Sequence, residues 1–218
     1  MSKYIAIIGD LIDSKKIKNR ESFQAKLQDS LSKINEEFKD IIVSNFTLTI
    51  GDEFQALVKL DKKLVLLLDK LFVYINYDFR LGIGYGEITT KINPDISIGS
   101  DGEAFWRARE AIEYVYTNNY NGRCNIFFIS DKSKVDELIN TLFLLSETLK
   151  YEWTDLQKET FSLMIKDNLY EETFNQKDFA NKLDISQSSL SKRLINGNIK
   201  IYIKSRLLLG EILEDIDE

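Results

Sequence analysis

TLTIGDEFQALV, residues 47–58, is the stretch on which the reading of this chain turns. Two runs of β-type residues, 46–50 and 54–59, flank a tight Gly51-Asp52-Glu53. Glycine supplies the positive φ that hairpin turns need, and aspartate tolerates turn conformations. The stretch predicts a β-hairpin over residues 41–50 and 53–60, with two adjacent carboxylates at its tip. Alternation along extended chain sends Asp52 and Glu53 to opposite sides. Such a tip is an ordinary solvated turn unless further acids join it.

KYIAIIGDLIDS, residues 3–14, supplies those acids. Tyr4 to Ile8 is a nearly continuous apolar run, as in a strand buried on both faces. Asp10 and Asp13 emerge where it leaves the core, and Asp13 is equally placed to cap the turn that follows. A central strand beside the hairpin would bring Asp10 and Asp52 together. Carboxylates that close repel unless a cation lies between them, and hard oxygen ligands favour Mg²⁺ or Mn²⁺. Such a pair is the metal centre of phosphoryl- or nucleotidyl-transfer chemistry.

The 218 residues suffice for one large or two small domains, and 44% hydrophobic residues can fill a core. A single cysteine, Cys124, excludes an intrachain disulfide and fits a reducing cytoplasm. The apolar stretch before Asp10 is too short for a signal peptide, and Asp69 and Lys70 interrupt the richest apolar run. The chain contains no histidine, which removes His general bases, Ser-His triads and His-ligated zinc. Any chemistry runs on carboxylates, Lys, Arg, Tyr, Ser and metal. A net charge of −6 argues against bulk capture of nucleic acid and leaves room for a local basic face.

Working outward from the hairpin, residues 19–38 read as an amphipathic helix with Phe23, Leu27, Leu31, Ile34 and Phe38 inward. Asp61 caps a second helix running to about residue 76. Residues 78–88 form a strand with Gly82, Gly84 and Gly86 on one face, a sign of close approach by a helix or a ligand. A helix over 101–116 buries Ala104, Ala108, Ala111, Ile112 and Val115, sets Arg107 and Arg109 on opposite edges, and points Trp106 outward. A strand over 124–129 and a helix over 133–150 follow. The βαββαβ order with an appended αβ predicts an α+β, ferredoxin-like palm in residues 1–132, with 133–150 as the connecting helix.

From residue 151 to 218 the pattern is helical throughout. Phe179-Ala180, Leu183, Ile185, Leu190 and Leu194 have the spacing of two short helices crossing at a tight turn, with Ser186 capping the second. That is a small all-α helix-turn-helix domain. It presents Gln187, Ser188, Ser189, Ser191, Lys192 and Arg193 outward, with further bases at Lys200, Lys204 and Arg206. Its reading is either DNA binding or oligomerisation and docking.

With these residues placed, the first domain resembles the catalytic palm shared by GGDEF diguanylate cyclases and class III nucleotidyl cyclases. IGDEFQAL at 50–57 is similar to the GGDEF hairpin, and RLGIGYGEI at 80–88 to a class III strand. Ala104-Phe105-Trp106-Arg107-Ala108-Arg109 is similar to a helix of GGDEF domains. The whole chain most resembles the SatD family in its GD-x-IDS start, GDEFQ hairpin and C-terminal helix-turn-helix. The resemblance implies that Asp10 and Asp52 are metal-binding carboxylates and Glu53 the second acid of the motif. It further implies that Leu11 lends a backbone carbonyl and that Arg109 binds phosphate. Three positions depart from the pattern. Ile50 replaces the first glycine, Trp106 a transition-state asparagine, and Glu113 a phosphate-binding arginine, although Gly122-Arg123 follows later. The metal half is kept and the substrate half altered.

Three expectations result. The first is a cytoplasmic two-domain regulator with no membrane insertion. In it the palm binds a nucleoside triphosphate or cyclic nucleotide with Mg²⁺ or Mn²⁺, and the helical domain binds DNA as a homodimer. The second is an active nucleotidyl cyclase or nucleotidyltransferase, with Asp10, Asp52 and Glu53 as catalytic acids and Lys15, Lys16, Arg107 and Arg109 holding phosphates. The third is a degenerate palm kept as a protein-interaction scaffold.

Overall fold

The computed structural model describes residues 2–49 and 51–217, so the Ile50 position lies outside the described residues. Lys3–Leu11 forms β1 and occupies the centre of a five-stranded sheet of order β2-β3-β1-β4-β5. The others are β2 (Ile42–Leu48), β3 (Glu53–Val58), β4 (Phe79–Glu87) and β5 (Ile126–Ile129). β1 is antiparallel to both β3 and β4, β2 is antiparallel to β3, and only β5 runs parallel to its neighbour β4. The α+β class read from the sequence is the class observed.

Strand alternation divides the sheet between two cores. Ile5 and Ile7 of β1, with Phe54, Ala56 and Val58 of β3 and Leu81 and Ile83 of β4, face one layer of helices. That layer contains α1 (Arg20–Glu37), α2 (Lys63–Ile75), α4 (Ser133–Tyr151) and the C-terminal half of α8 (Ile199–Glu214). Ala6, Ile8 and Leu57 face the other side, where α3 (Glu103–Thr117) lies. The glycine stripe of β4 exists for α3. A Cβ on Gly82 would lie 2.1 Å from the Ala108 carbonyl oxygen, and one on Gly84 would lie 2.1 Å from that of Ala104. Of the two causes expected for the stripe, helix packing is the one present.

Local signals set the element ends. The Asn19 side chain accepts from Ser22 N at 3.1 Å and starts α1. The Asp61 carboxylate accepts from Lys63 N at 2.7 Å ahead of α2, as its position predicts. Asn140 of α4 pairs its amide with both Phe128 N and Phe128 O, each at 2.8 Å, and so completes the outer edge of β5. The helix 133–150, expected to connect domains, is therefore packed onto the sheet, with Ile139 and Phe143 in its core.

The helices α5 (Asp155–Lys166), α6 (Gln176–Lys182) and α7 (Gln187–Asn196) form a second core with the start of α8. Trp153, Phe161, Phe179, Leu190, Leu194 and Tyr202 are its centre. α8 belongs to both cores: Tyr202 and Ile203 to this one, Leu209 and Leu213 to the sheet. Where the cores meet, Asp69 of α2 and Arg206 of α8 are fully buried and paired at 2.9 Å. Tyr202 and Tyr170 also donate their hydroxyls to Asp69. Lys70, buried beside it, bonds Glu37 and Asn168. The charges that interrupt the apolar run of α2 thus face this junction. Arg206, expected among the surface bases, is a buried structural residue, because α8 turns that side onto α2.

Candidate acidic site at the end of the sheet

Asp10 is the penultimate residue of β1, opposite Glu53 on β3 and Arg80 on β4. All three fall on the α3 side, since each is in phase with the residues that meet α3. Arg80 donates to the Asp10 carboxylate at 3.3 Å and lies over the Tyr116 ring, 4.9 Å from its centroid. Arg109 of α3 grips Glu53 with two bonds, at 2.7 and 3.2 Å. Burial pushes the Asp10 carboxyl up from the ordinary aspartate range. The charge of Asp52 pushes it further, Arg80 opposes, and Glu53 adds a smaller upward push. The charge of Asp52 is thus felt at Asp10, where Arg80 does not fully offset it.

The other predicted residues distribute unevenly. Leu11 is buried at the end of β1, and beyond it a 3₁₀ turn at Ser14–Lys16 leads toward α1. Lys15 is exposed, and Lys16 pairs with Asp13 at 2.7 Å. Asp13 itself adopts φ 57 and makes no side-chain cap, so it serves as the partner of Lys16. Arg107 is not brought to the acids. It bonds the Tyr85 carbonyl and Glu103, near the opposite end of β4. Trp106 points outward and donates to Asp101 at 2.7 Å. Arg80 was missed by sequence reasoning. Its signal is the pleat: it shares the face of Gly82 and Gly84 at the end where Asp10 emerges.

The two sides of the hairpin tip differ in room. Toward α1, Leu11, Ser14, Phe23, Gln24, Gly51 and Asp52 leave about 10 Å³, the space of one water. Gln24 donates to the Gly51 carbonyl at 3.3 Å and ties the tip to α1. Toward α3, a cleft of about 450 Å³ runs between Trp106, Phe105 and Gln55. Among the described residues, no three His, Cys, Asp or Glu side chains are arranged to hold a metal ion. The donor set that the resemblance implies is two carboxylates, Asp10 and Asp52, with the Leu11 carbonyl, of which Asp10 lies on the α3 side and Asp52 borders the α1-side space. That set fits Mg²⁺, which is commonly held by one or two carboxylates while waters and substrate phosphates complete its shell.

In the helical half, Gln187, Ser188, Ser189 and Lys192 are exposed, while Ser191 and Arg193 are half-buried. Ser186 caps α7 by accepting from Ser189 N at 3.1 Å. Arg193 donates to Thr160 at 3.3 Å, which commits part of its guanidinium to α5. Among the described residues, no helix is long and apolar enough to cross a membrane.

These features define a mixed α/β protein with an acidic pair at one sheet end and a capped pair of short helices beyond it. The SatD family profile matches residues 4–213, and the chain belongs to the SatD family. Neither the curated proteins nor the solved structures compared with it gave a match.

Proposed function

We propose that this SatD-family chain is a metal-nucleotide-responsive regulator, with a ferredoxin-like palm for the ligand and α7 for DNA. The antiparallel order β2-β3-β1-β4 with βαββαβ connectivity supports the palm reading, β5 being an addition at its edge. The observation that carries the ligand reading is Asp10, half-buried beside Asp52 with its carboxyl held above its ordinary range. A divalent ion bound there by Asp10, Asp52 and the Leu11 carbonyl would neutralise the pair and polarise a phosphate. Arg109, already beside Glu53, is the nearest phosphate-binding candidate on α3. Response rather than turnover is favoured because Glu113 stands where the resemblance calls for a phosphate-binding arginine and Arg109 is already engaged by Glu53. The exposed Gln187, Ser188 and Lys192 at a capped helix support DNA as the output.

The test is thermal melting with Mn²⁺, with and without nucleoside triphosphates. Ligand at a hundred times its dissociation constant stabilises by about 2.7 kcal/mol. Asp52→Asn should abolish the metal-induced shift and keep the fold. A wild-type melting temperature indifferent to millimolar Mn²⁺ in every combination sinks the metal reading. The DNA half is tested by salt titration on genomic fragments, where Lys192→Ala should reduce the slope by about 0.9. Binding unaffected by Lys192→Ala, or absent at low salt, sinks that half.

A further inference from the structure

A large opening lies in the angle between the sheet and the helical half and shares Arg80 with the acidic site. It is a groove of about 1110 Å³, above the usual span of small-molecule pockets. Tyr77, Arg80, Asn119 and Asn125 belong to its sheet-side wall, and Tyr151, Trp153, Lys158 and Phe161 to its helical wall. Phe72 and Val73 of α2 add apolar surface between them.

The charges of this lining divide into spent and available groups. Lys16 is paired with Asp13, Lys150 with Glu147, and Asp69 with Arg206. Lys158 is exposed and has no acid partner among the described residues. Arg80 has a single carboxylate bond, at 3.3 Å, and its Nε is buried without a partner. Arg80 on the sheet-side wall and Lys158 on the helical wall are thus the lining cations with donor capacity left for a phosphate. Asp78, on the same lining, is exposed with no cation partner among the described residues, and an unpaired carboxylate accepts well from ribose hydroxyls. The aromatic rings and the asparagine amides offer stacking surface and hydrogen-bonding edges for a planar base.

The geometry points to this groove as a nucleotide site in its own right, adjoining the acidic pair through Arg80 and independent of metal. Its occupant is a phosphate-bearing nucleoside that touches both halves of the molecule. Occupancy has a direct route to α7. Trp153 on the helical wall donates its indole N–H to the Gly197 carbonyl, at the end of α7, at 2.5 Å. Lys150 lies over the Phe72 ring, 3.9 Å from its centroid, and bonds Glu147 in the buried polar junction. A ligand against these groups favours one setting of the helical half over others.

The experiment uses the full chain carrying Trp106→Phe, which leaves Trp153 as the sole tryptophan reporter. Purine and pyrimidine mono- and triphosphates are titrated in EDTA while Trp153 emission is read. The expected result is a saturable change with at least one nucleotide, retained in the added Asp52→Asn background. Lys158→Glu, at an exposed position, should weaken binding about tenfold, and the matching nucleoside without phosphate should bind about tenfold more weakly still. Hydrogen exchange over residues 187–197 should slow on binding. The inference is overturned by no emission change with any nucleotide, or by unchanged affinity in Lys158→Glu. It is overturned equally by a response that EDTA or Asp52→Asn removes, since that places the ligand at the acidic pair. Failure of the Mn²⁺ melting test alone leaves this result unaffected, so the two readings stand or fall separately.

Discussion

Arg206→Met removes the cation of a buried pair whose other member, Asp69, borders the groove. Arg206 and Asp69 are both wholly removed from solvent, and 137 positions of sequence separate them. Arg206 donates to Asp69 at 2.9 and 3.3 Å, and Tyr202 donates to the same carboxylate at 2.6 Å. Removing the guanidinium leaves a buried carboxylate with two tyrosine hydroxyls and no countercharge. Breaking a buried pair from one side costs about 3–5 kcal/mol. For a chain of this size each kcal/mol lowers the melting temperature by about 2–4 °C, so the fall should be on the order of 10 °C. The aliphatic body of methionine keeps the contact with Phe143, whose ring centroid lies 5.0 Å from the Arg206 guanidinium carbon. That separates lost charge from lost packing. Adding Asp69→Asn removes the orphan charge and keeps an acceptor for the tyrosines, so the double variant should recover most of the loss. Urea unfolding of both single variants, the double variant and the parent gives the coupling energy. An Arg206→Met loss below about 1 kcal/mol, or additivity of the two changes, refutes the argument that this pair holds the two cores together.

Gly84→Ala should cost about 3 kcal/mol or more, because the new methyl meets the Ala104 carbonyl at 2.1 Å and neither β4 nor α3 can move alone; a melt within 2 °C of the parent would contradict this. Asp10→Asn should raise stability at neutral pH in metal-free buffer. The folded pKa of Asp10 is raised, so its destabilising contribution is absent below the ordinary aspartate range and fully present above the raised value. The gain should therefore shrink to nothing as the pH falls toward 3, and a gain constant with pH would refute the assignment. Cys124, buried and with its thiol pushed up to about 11, should react with a thiol reagent at pH 8 only as fast as the fold opens. Immediate labelling without denaturant would contradict its placement.

What was legible in the sequence is what short-range physics writes there. The hairpin at Gly51-Asp52, the apolar β1 and the stripe Gly82-Gly84-Gly86 each follow from turn chemistry or a pleat of period two. Together they forecast that Asp10 would emerge at the end of β1 opposite the strand that follows the hairpin turn. The cap at Ser186 and the spacing of Leu190 and Leu194 likewise forecast the helical pair. What was hidden depends on which way a whole element turns. Asp69 and Lys70 look like interruptions of an apolar helix until α8 lies across them, and Arg206 looks like a surface base until α8 buries it against Asp69 and the rings of Phe143 and Tyr202. The groove is hidden for the same reason: it is made by the angle between two cores that share α8, and no local pattern encodes that angle. This sharing has a functional corollary. Because α8 contributes Tyr202 to one core and Leu209 and Leu213 to the other, a ligand that shifts the helical half must strain or tilt a single continuous helix. The polar junction at Asp69 and Arg206 is where that helix passes from one core to the other, so it is the natural fulcrum. A signal from either candidate site would reach α7 through this fulcrum and through the Trp153 bond to Gly197.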